Sequence, residues 1–248
     1  MRTVVSKPEA LVIDDFLDPV SFELVWAYVQ SEEFEHVHRM GWVNAWRLSD
    51  GVPLRGPVTL SHSTDTDRFS PIHPTGKGID LVVEKILSIK AQFVDWVGAH
   101  GEDWSHFFCR PYIYAANMGL SWHRDNQNQT TGAFTFYCHP TWNVQWGGEL
   151  LVADAESRNF EFPQTQLLGD ERRFLGTHLD NTPENEALLE TGAGMYILPK
   201  PNRLVVVPAG VLHGIKKVDP AAGSNVRVSL QGTFMYPDRG SVKGAPRP

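Results

Sequence analysis

The sequence predicts a single α+β domain whose β part is a sandwich or barrel. Three observations carry that reading. The chain has 248 residues, long enough for one large core, and nothing in it forces a division. Two strongly amphipathic helical stretches fall within the first hundred residues. From about Phe107 onward the texture changes to short apolar or alternating runs separated by Gly, Pro, Asn and Asp.

Taken in order, "EALVIDDFLDPVSFELVWAYVQSEEF" reads as a short strand around Leu11 to Ile13, a turn at Asp18-Pro19 and a helix. The helix has Phe22, Leu24, Val25, Tyr28 and Val29 at helical spacing, which predicts one buried face. "GIDLVVEKILSIKAQFVDWVGAH" is the second helix, with Leu81, Val82, Ile86, Ile89, Phe93 and Trp96 spaced to pack on a sheet. The strands follow as "FFCRPYIYAA", "GAFTFYC", "GGELLVAD", "GAGMYILP", "NRLVVVPAG" and "VRVSLQGTFMY". The domain 1–248 therefore divides into a helical N-terminal part (1–106), a β core (107–237) and a flexible tail (238–248). The polar, irregular segment 155–192 reads as an insertion or lid over the substrate, since long loops in compact domains are often functional.

Bulk properties exclude several classes of function. With a net charge of −7 and no Lys/Arg cluster, a nucleic-acid backbone is not an expected partner. Hydrophobic residues make up 42% of the chain, yet no run approaches the roughly 20 apolar residues of a membrane span, so a soluble protein is expected. The N-terminus lacks the apolar core of a signal peptide and there are only two cysteines, Cys109 and Cys138, which places the chain in a reducing cytoplasm. "GAGMYI" lacks the third glycine of a dinucleotide loop, and "HSTDTD" at 62–67 reads as a solvated loop.

The chemistry starts in "GLSWHRDNQNQ". In an extended chain, side chains two places apart share a face, so His123 and Asp125 point together and Arg124 points elsewhere. Such a pair supplies two legs of the 2-His-1-carboxylate facial triad of non-haem Fe(II) oxygenases, but alone it fits a surface turn equally well. A second histidine comes from "PKPNRLVVVPAGVLHGI", where the strand Leu204 to Val207 ends in Pro208-Ala209-Gly210 and His213 opens the next. In "GSNVRVSL", Arg227 and Ser229 share one face while Val226, Val228 and Leu230 share the other. An arginine on a buried strand requires an anion, and the 5-carboxylate of 2-oxoglutarate would serve. The other histidines (His36, His38, His62, His73, His100, His106, His139 and His178) have no partners in a recognisable order and read as surface or packing residues. Trp142 and Trp146 read as half packing, half pocket wall.

Together, His123-Arg124-Asp125, His213 and Arg227-Val228-Ser229 resemble the signature of the Fe(II)/2-oxoglutarate-dependent oxygenases. The resemblance extends through Phe136-Tyr137, Trp142 and Gly147-Gly148-Glu149-Leu150, an order similar to that of the prolyl 4-hydroxylase-like branch; "VIDDFL" is similar to the way such chains begin. It implies a double-stranded β-helix (jelly-roll or cupin-like) core with the N-terminal helices packed on the sheet. It implies Fe(II) held by His123, Asp125 and His213 as the catalytic centre, and 2-oxoglutarate anchored by Arg227. O2 would be the second co-substrate, succinate and CO2 the products, and ascorbate a possible stimulant. Two departures stand out. Members near this pattern often carry a co-substrate-binding tyrosine where the alignment puts Phe136, so Ser229 and Tyr114 are expected to supply the hydroxyl. The spacing from His213 to Arg227 is also long, with "DPAAGS" available as a turn to absorb it.

The resemblance further implies hydroxylation, because related halogenases lack the carboxylate that Asp125 supplies. The expected substrate is an amino acid, a peptide-like molecule or a natural-product scaffold, with residues 40–56 and 155–192 walling its pocket. A cupin-like metal-binding or isomerising β-barrel without 2-oxoglutarate chemistry is the alternative, and Arg227 discriminates, since such a site needs no buried cation.

Overall fold

The chain opens on a hairpin, β1 (Arg2–Lys7) turning into β2 (Ala10–Asp14), in the computed structural model, which describes residues 1–39, 46–62, 70–125, 130–154, 186, 188–190 and 192–236. β2 is buried along its whole length, so its pattern is a continuous apolar run ending in Asp14. That carboxylate is held by Arg203 Nε at 2.7 Å and Lys200 Nζ at 2.7 Å, tying β2 to the start of a later strand. Helix α1 (Pro19–Ser31) starts where Asp18 accepts from the Ser21 amide at 3.0 Å, with Pro19 at the first helical position. Its buried stripe is Val25, Tyr28 and Val29; Leu24, expected on that face, is 52% exposed because it precedes Val25 and lies about 100° off the stripe.

The second helical stretch is not one helix. α2 (Ile79–Ser88) ends at Ile89, a 3₁₀ turn covers Lys90–Phe93, and α3 (Val94–Val97) completes it. The Ser88 hydroxyl bonds back to the Lys85 carbonyl at 2.8 Å, competing with the helical ladder where the winding changes. The apolar stripe nevertheless continues across the break, through Val82, Val83, Ile86, Phe93 and Val97.

Two antiparallel sheets form the rest. The short strands β3 (Glu35–His36), β4 (Leu54–Arg55) and β5 (Thr59–Leu60) precede the long β6 (His106–Tyr114). They are followed by β7 (Leu120–His123), β8 (Thr130–Tyr137), β9 (Leu150–Ala153), β10 (Gly194–Ile197), β11 (Leu204–Pro208), β12 (His213–Ile215) and β13 (Arg227–Met235). Among the described residues the large sheet runs β1-β2-β11-β8-β13-β6-β4-β3, with β5 also on β6, and the small sheet runs β10-β9-β12-β7. The N-terminal part is therefore not only helical: all five of its strands join the large sheet. Within the described residues no helix is long and apolar enough to cross a membrane.

Alternation assigns each large-sheet strand two jobs. Leu11, Ile13, Phe134, Phe136, Leu204, Val206, Val228, Leu230 and Phe234 face the helices and form one core with them. Val12, Val205, Val207, Tyr112, Tyr114 and Tyr137 face the small sheet and meet Leu120, Leu150, Val152, Ile197 and Ile215. The helix layer thus backs a sheet whose inner face is free to carry polar residues, and Arg227, Ser229 and Gln231 of β13 lie on it.

Candidate metal centre and anion pocket

His123 closes β7 and His213 opens β12, and the two are directly paired across the small sheet. Their rings are 4.3 Å apart, centroid to centroid. Asp125 follows β7 by two residues, its backbone carbonyl accepting from the Thr130 hydroxyl at the start of β8. It sets Oδ1 3.7 Å from His123 Nε2 and Oδ2 3.4 Å from His213 Nε2. One donor atom from each of the three residues lies within 4.8 Å of the others. Both rings are oriented by their own strands: Nδ1 of His123 meets the Ser121 carbonyl at 2.9 Å and Nδ1 of His213 meets that of Val211 at 3.0 Å. A carbonyl only accepts, so each Nδ1 carries the hydrogen and each Nε2 faces the centre, the orientation a metal-ligating imidazole needs.

The electrostatics follow from crowding three ionisable groups. Burial, joined by the neighbouring His213 charge, pushes the His123 imidazole down to about 4. Burial opposes ionisation of Asp125, but the His213 charge and hydrogen bond outweigh it and hold the carboxyl near 2. Burial likewise opposes protonation of His213, and Asp125 overcomes it, leaving His213 raised. A divalent cation would be held by the ionised Asp125 and by Nε2 of the two imidazoles, displacing any proton there.

A second polar group lies deeper between the sheets. Arg227 is fully buried, its Nε donating to the Gly148 carbonyl at 2.9 Å and its Nη1 to Ser229 Oγ at 3.2 Å. Its guanidinium carbon lies 4.8 Å from the ring centre of Tyr137 and 5.2 Å from that of Tyr114. Yet Arg227 Nη2 and both phenol oxygens are buried without a hydrogen-bond partner among the described residues. Three unsatisfied donors around one cation are costly unless an anion fills the space between them. The backbone allows this approach only at Gly147-Gly148: both have positive φ (67° and 73°), and a Cβ on Gly148 would meet Arg227 Cδ at 3.0 Å and Trp142 at 3.3 Å. Trp142 packs edge to face on Trp146 beside this turn, its Nε1 donating to the Gly147 carbonyl at 3.1 Å.

The structure brings His123, Asp125 and His213 together, and Arg227, Ser229 and Tyr114 beside one another. Sequence reasoning missed Tyr137. Phe136 faces the helices, packed on Phe16 with ring centres 5.5 Å apart, so the inward tyrosine is one place later. Ser229 pairs with Tyr137 and Leu230 with Phe136, a cross-strand register that the sequence alone does not show. The long His213–Arg227 spacing is absorbed by a 3₁₀ turn over Pro220–Ala222, capped by Asp219. Of the expected pocket walls, Trp46 stacks on Tyr112 at 5.5 Å and Arg47 reaches the Trp122 carbonyl at 3.2 Å. Residues 40–45, most of 155–192, most of "HSTDTD" and the tail from 237 lie outside the described residues.

Comparison with known proteins agrees with this architecture. A crystal structure of a Pseudomonas putida prolyl-4-hydroxylase superposes with a TM-score of 0.56 at 14% identity, covering 92% of either chain. A Trichoplax adhaerens prolyl hydroxylase, solved with a hypoxia inducible factor peptide fragment, gives 0.54 at 16%, covering 93% of this chain and 84% of that one. An oxidoreductase of the 2OG-Fe(II) oxygenase family from Burkholderia pseudomallei gives 0.55 at 11%, covering 95% and 93%. At such identities these likenesses speak for the shared fold alone. No curated protein matches the sequence. The model of the 2OG-Fe(II) oxygenase superfamily matches residues 109–235, just over half of the chain and the stretch that carries both polar groups. The cupin-like alternative without 2-oxoglutarate is thereby set aside: the chain belongs to the 2OG-Fe(II) oxygenase superfamily and is an enzyme that uses Fe(II) and 2-oxoglutarate.

Proposed function

We propose that the enzyme hydroxylates an amino acid, peptide-like or small natural-product substrate, with Fe(II) held by His123, Asp125 and His213. The co-substrate's distal carboxylate would rest on Arg227, between the hydroxyls of Tyr114, Tyr137 and Ser229. The observation that carries this is the set of three unpartnered donors, Arg227 Nη2, Tyr114 Oη and Tyr137 Oη, buried inward of the triad. Fe(II) with 2-oxoglutarate supplies the oxidising power, coupling decarboxylation of the co-substrate to succinate with oxidation of a substrate C–H bond by O2. The chain's own residues do the rest. Arg227 fixes the co-substrate by a charge-assisted contact in a site closed to water. Burial raises the Tyr114 phenol, so its proton stays available to donate despite the adjacent guanidinium. His123 Nε2, His213 Nε2 and an oxygen of Asp125 would hold the ion, the two imidazoles as neutral ligands. The carboxylate of Asp125 in the triad favours hydroxylation over halogenation.

The test is calorimetric titration with Mn(II) and then 2-oxoglutarate, alongside succinate assay with Fe(II). His213→Ala should lose metal binding and activity together. Arg227→Ala should keep the metal and lose about 30-fold or more in 2-oxoglutarate affinity. Unchanged metal affinity in the first variant, or unchanged co-substrate affinity in the second, would remove these residues from the site.

A further inference from the structure

The inner face of the large sheet carries a second cation that the reading above does not use. β6 and β13 pair in register, Tyr114 opposite Arg227, Tyr112 opposite Ser229 and Arg110 opposite Gln231. A line of polar side chains follows these rungs outward, Arg227 Nη1 to Ser229 Oγ at 3.2 Å and Gln231 Nε2 to the same oxygen at 3.0 Å. The middle rung lies on the same inner face, Tyr112 packing with Tyr114, ring centres 6.4 Å apart, and with Leu120 of the small sheet. Arg110 thus stands on the outer rung, four residues from Tyr114 and roughly 13 Å from it at about 3.3 Å per residue. Two arginines then lie along one sheet face, Arg227 at the co-substrate pocket and Arg110 two rungs beyond it.

Arg110 is held ready rather than neutralised. Its Nε and Nη2 both donate to the Gly56 carbonyl, and its guanidinium lies 5.7 Å from the Tyr112 ring centre. Tyr112 in turn stacks on Trp46. Of the five guanidinium hydrogens Gly56 takes two, leaving an end-on fork of Nη1 and Nη2, the geometry that matches a carboxylate. Neighbouring Arg55 is ion-paired with Glu35 at 3.0 Å, whereas no carboxylate among the described residues lies within ion-pair distance of Arg110. Burial lowers the Arg110 pKa, the neighbouring Tyr112 and the more distant Glu35 offset part of that, and with no described carboxylate in direct contact the half-buried charge still gains from an incoming anion. The Tyr112 ring beside it, backed by Trp46, would give the organic part of a small acid an apolar wall.

We propose that Arg110 docks a free carboxylate of the substrate, so that the enzyme acts on small carboxylic acids, α-amino acids among them. This rests on the reading of the metal centre and of Arg227 given above. Protein loaded with Mn(II) and 2-oxoglutarate, where no turnover occurs, is titrated with a panel of amino acids and other organic acids. Their primary amides, and short peptides with free or amidated C-termini, are run alongside; binders are then assayed with Fe(II). At least one acid binds about 30-fold or more tightly than its amide. Arg110→Gln abolishes that preference and raises KM by a similar factor, with kcat within about threefold and 2-oxoglutarate affinity unchanged, while Arg110→Lys recovers part of the loss. Preference for free over amidated C-termini would assign the carboxylate to a peptide end, and preference confined to single amino acids would assign it to a small molecule. The proposal is overturned if amides bind as well as acids, if no acid in the panel binds, or if Arg110→Gln leaves KM unchanged. Should Arg110→Gln melt early, the acid-to-amide ratio in the parent enzyme and in Arg110→Lys still decides. Failure of the underlying reading shows separately, as loss of 2-oxoglutarate binding by the parent or indifference of that binding to Arg227→Ala.

Discussion

Tyr137 concentrates the tension between stability and function in one hydroxyl. Its oxygen is buried with no partner among the described residues, beside a guanidinium whose Nη2 is equally unpartnered. In the ligand-free protein such a group is a cost, because a buried donor without a partner forfeits its hydration. With the co-substrate seated as proposed it would become a donor to a carboxylate. Tyr137→Phe should therefore move two quantities in opposite directions. The ligand-free protein should be unchanged or more stable by up to about 1 kcal/mol in urea unfolding, and 2-oxoglutarate affinity should fall about five- to tenfold in calorimetry. Mn(II) affinity should not move, since the phenol is no part of the triad. A variant that lost stability and kept full co-substrate affinity would show that this hydroxyl serves packing alone.

At the scale of the strand, the β8–β13 pairing is finished by a side chain. Beyond Tyr137 the Cys138 amide still donates to the Val228 carbonyl at 3.1 Å, and the His139 ring then takes over: Nδ1 lies 3.0 Å from the Val228 carbonyl and 3.2 Å from the Val228 amide, and Nε2 donates to the Pro199 carbonyl at 2.7 Å. Burial pushes the His139 pKa down to about 4, against the Pro199 and Val228 carbonyls, which favour the protonated ring. Because the folded value lies below the unfolded value of about 6.5, the unfolded chain binds the extra proton. This contribution is present above about pH 6.5 and is lost as pH falls toward 4, a change of about 3 kcal/mol at most. His139→Gln should flatten that part of the stability-versus-pH curve, and because Val228 adjoins Arg227 it should also weaken 2-oxoglutarate binding; an unaltered acid limb would place the sensitivity elsewhere. From the sequence, His139 was legible only as a surface or packing residue, since nothing local says that a histidine will replace a strand carbonyl. The contrast with His123, Asp125 and His213 is instructive. Their roles follow from two-residue alternation and strand ends, which are local, whereas Tyr137 and Arg110 gain meaning only from cross-strand register. Likewise β2 announced itself as an unbroken apolar run, while β1 is largely exposed and β3, β4 and β5 are two residues each, too short to carry a pattern.

For the molecule as a whole, the two polar groups sit on opposite layers. His123 and His213 belong to the small sheet, and Tyr114, Tyr137, Arg227 and Ser229 to the large one, with Leu150 and Val152 packed between. A metal alone draws together only the ends of β7 and β12 and the loop carrying Asp125. A 2-oxoglutarate bound to that metal and to Arg227 would bridge the layers, and only the folded arrangement offers both anchors at once. Ligands that bind the native state alone stabilise it by about 2.7 kcal/mol at a hundredfold excess over Kd, and for a chain of this size each kcal/mol raises Tm by about 2–4 °C. Mn(II) with saturating 2-oxoglutarate should thus raise Tm by roughly 5–10 °C above the metal-free protein. Mn(II) alone should give a smaller shift, and 2-oxoglutarate alone little, because without the ion its second anchor is a carboxylate that repels it. Coupling of this kind is reciprocal, so the co-substrate must tighten the metal by the same factor that the metal tightens the co-substrate. Differential scanning with each ligand singly and together measures both arms. Additive shifts, or an equal shift from 2-oxoglutarate with and without metal, would mean that the two pockets are filled independently and that no single ligand spans the sheets.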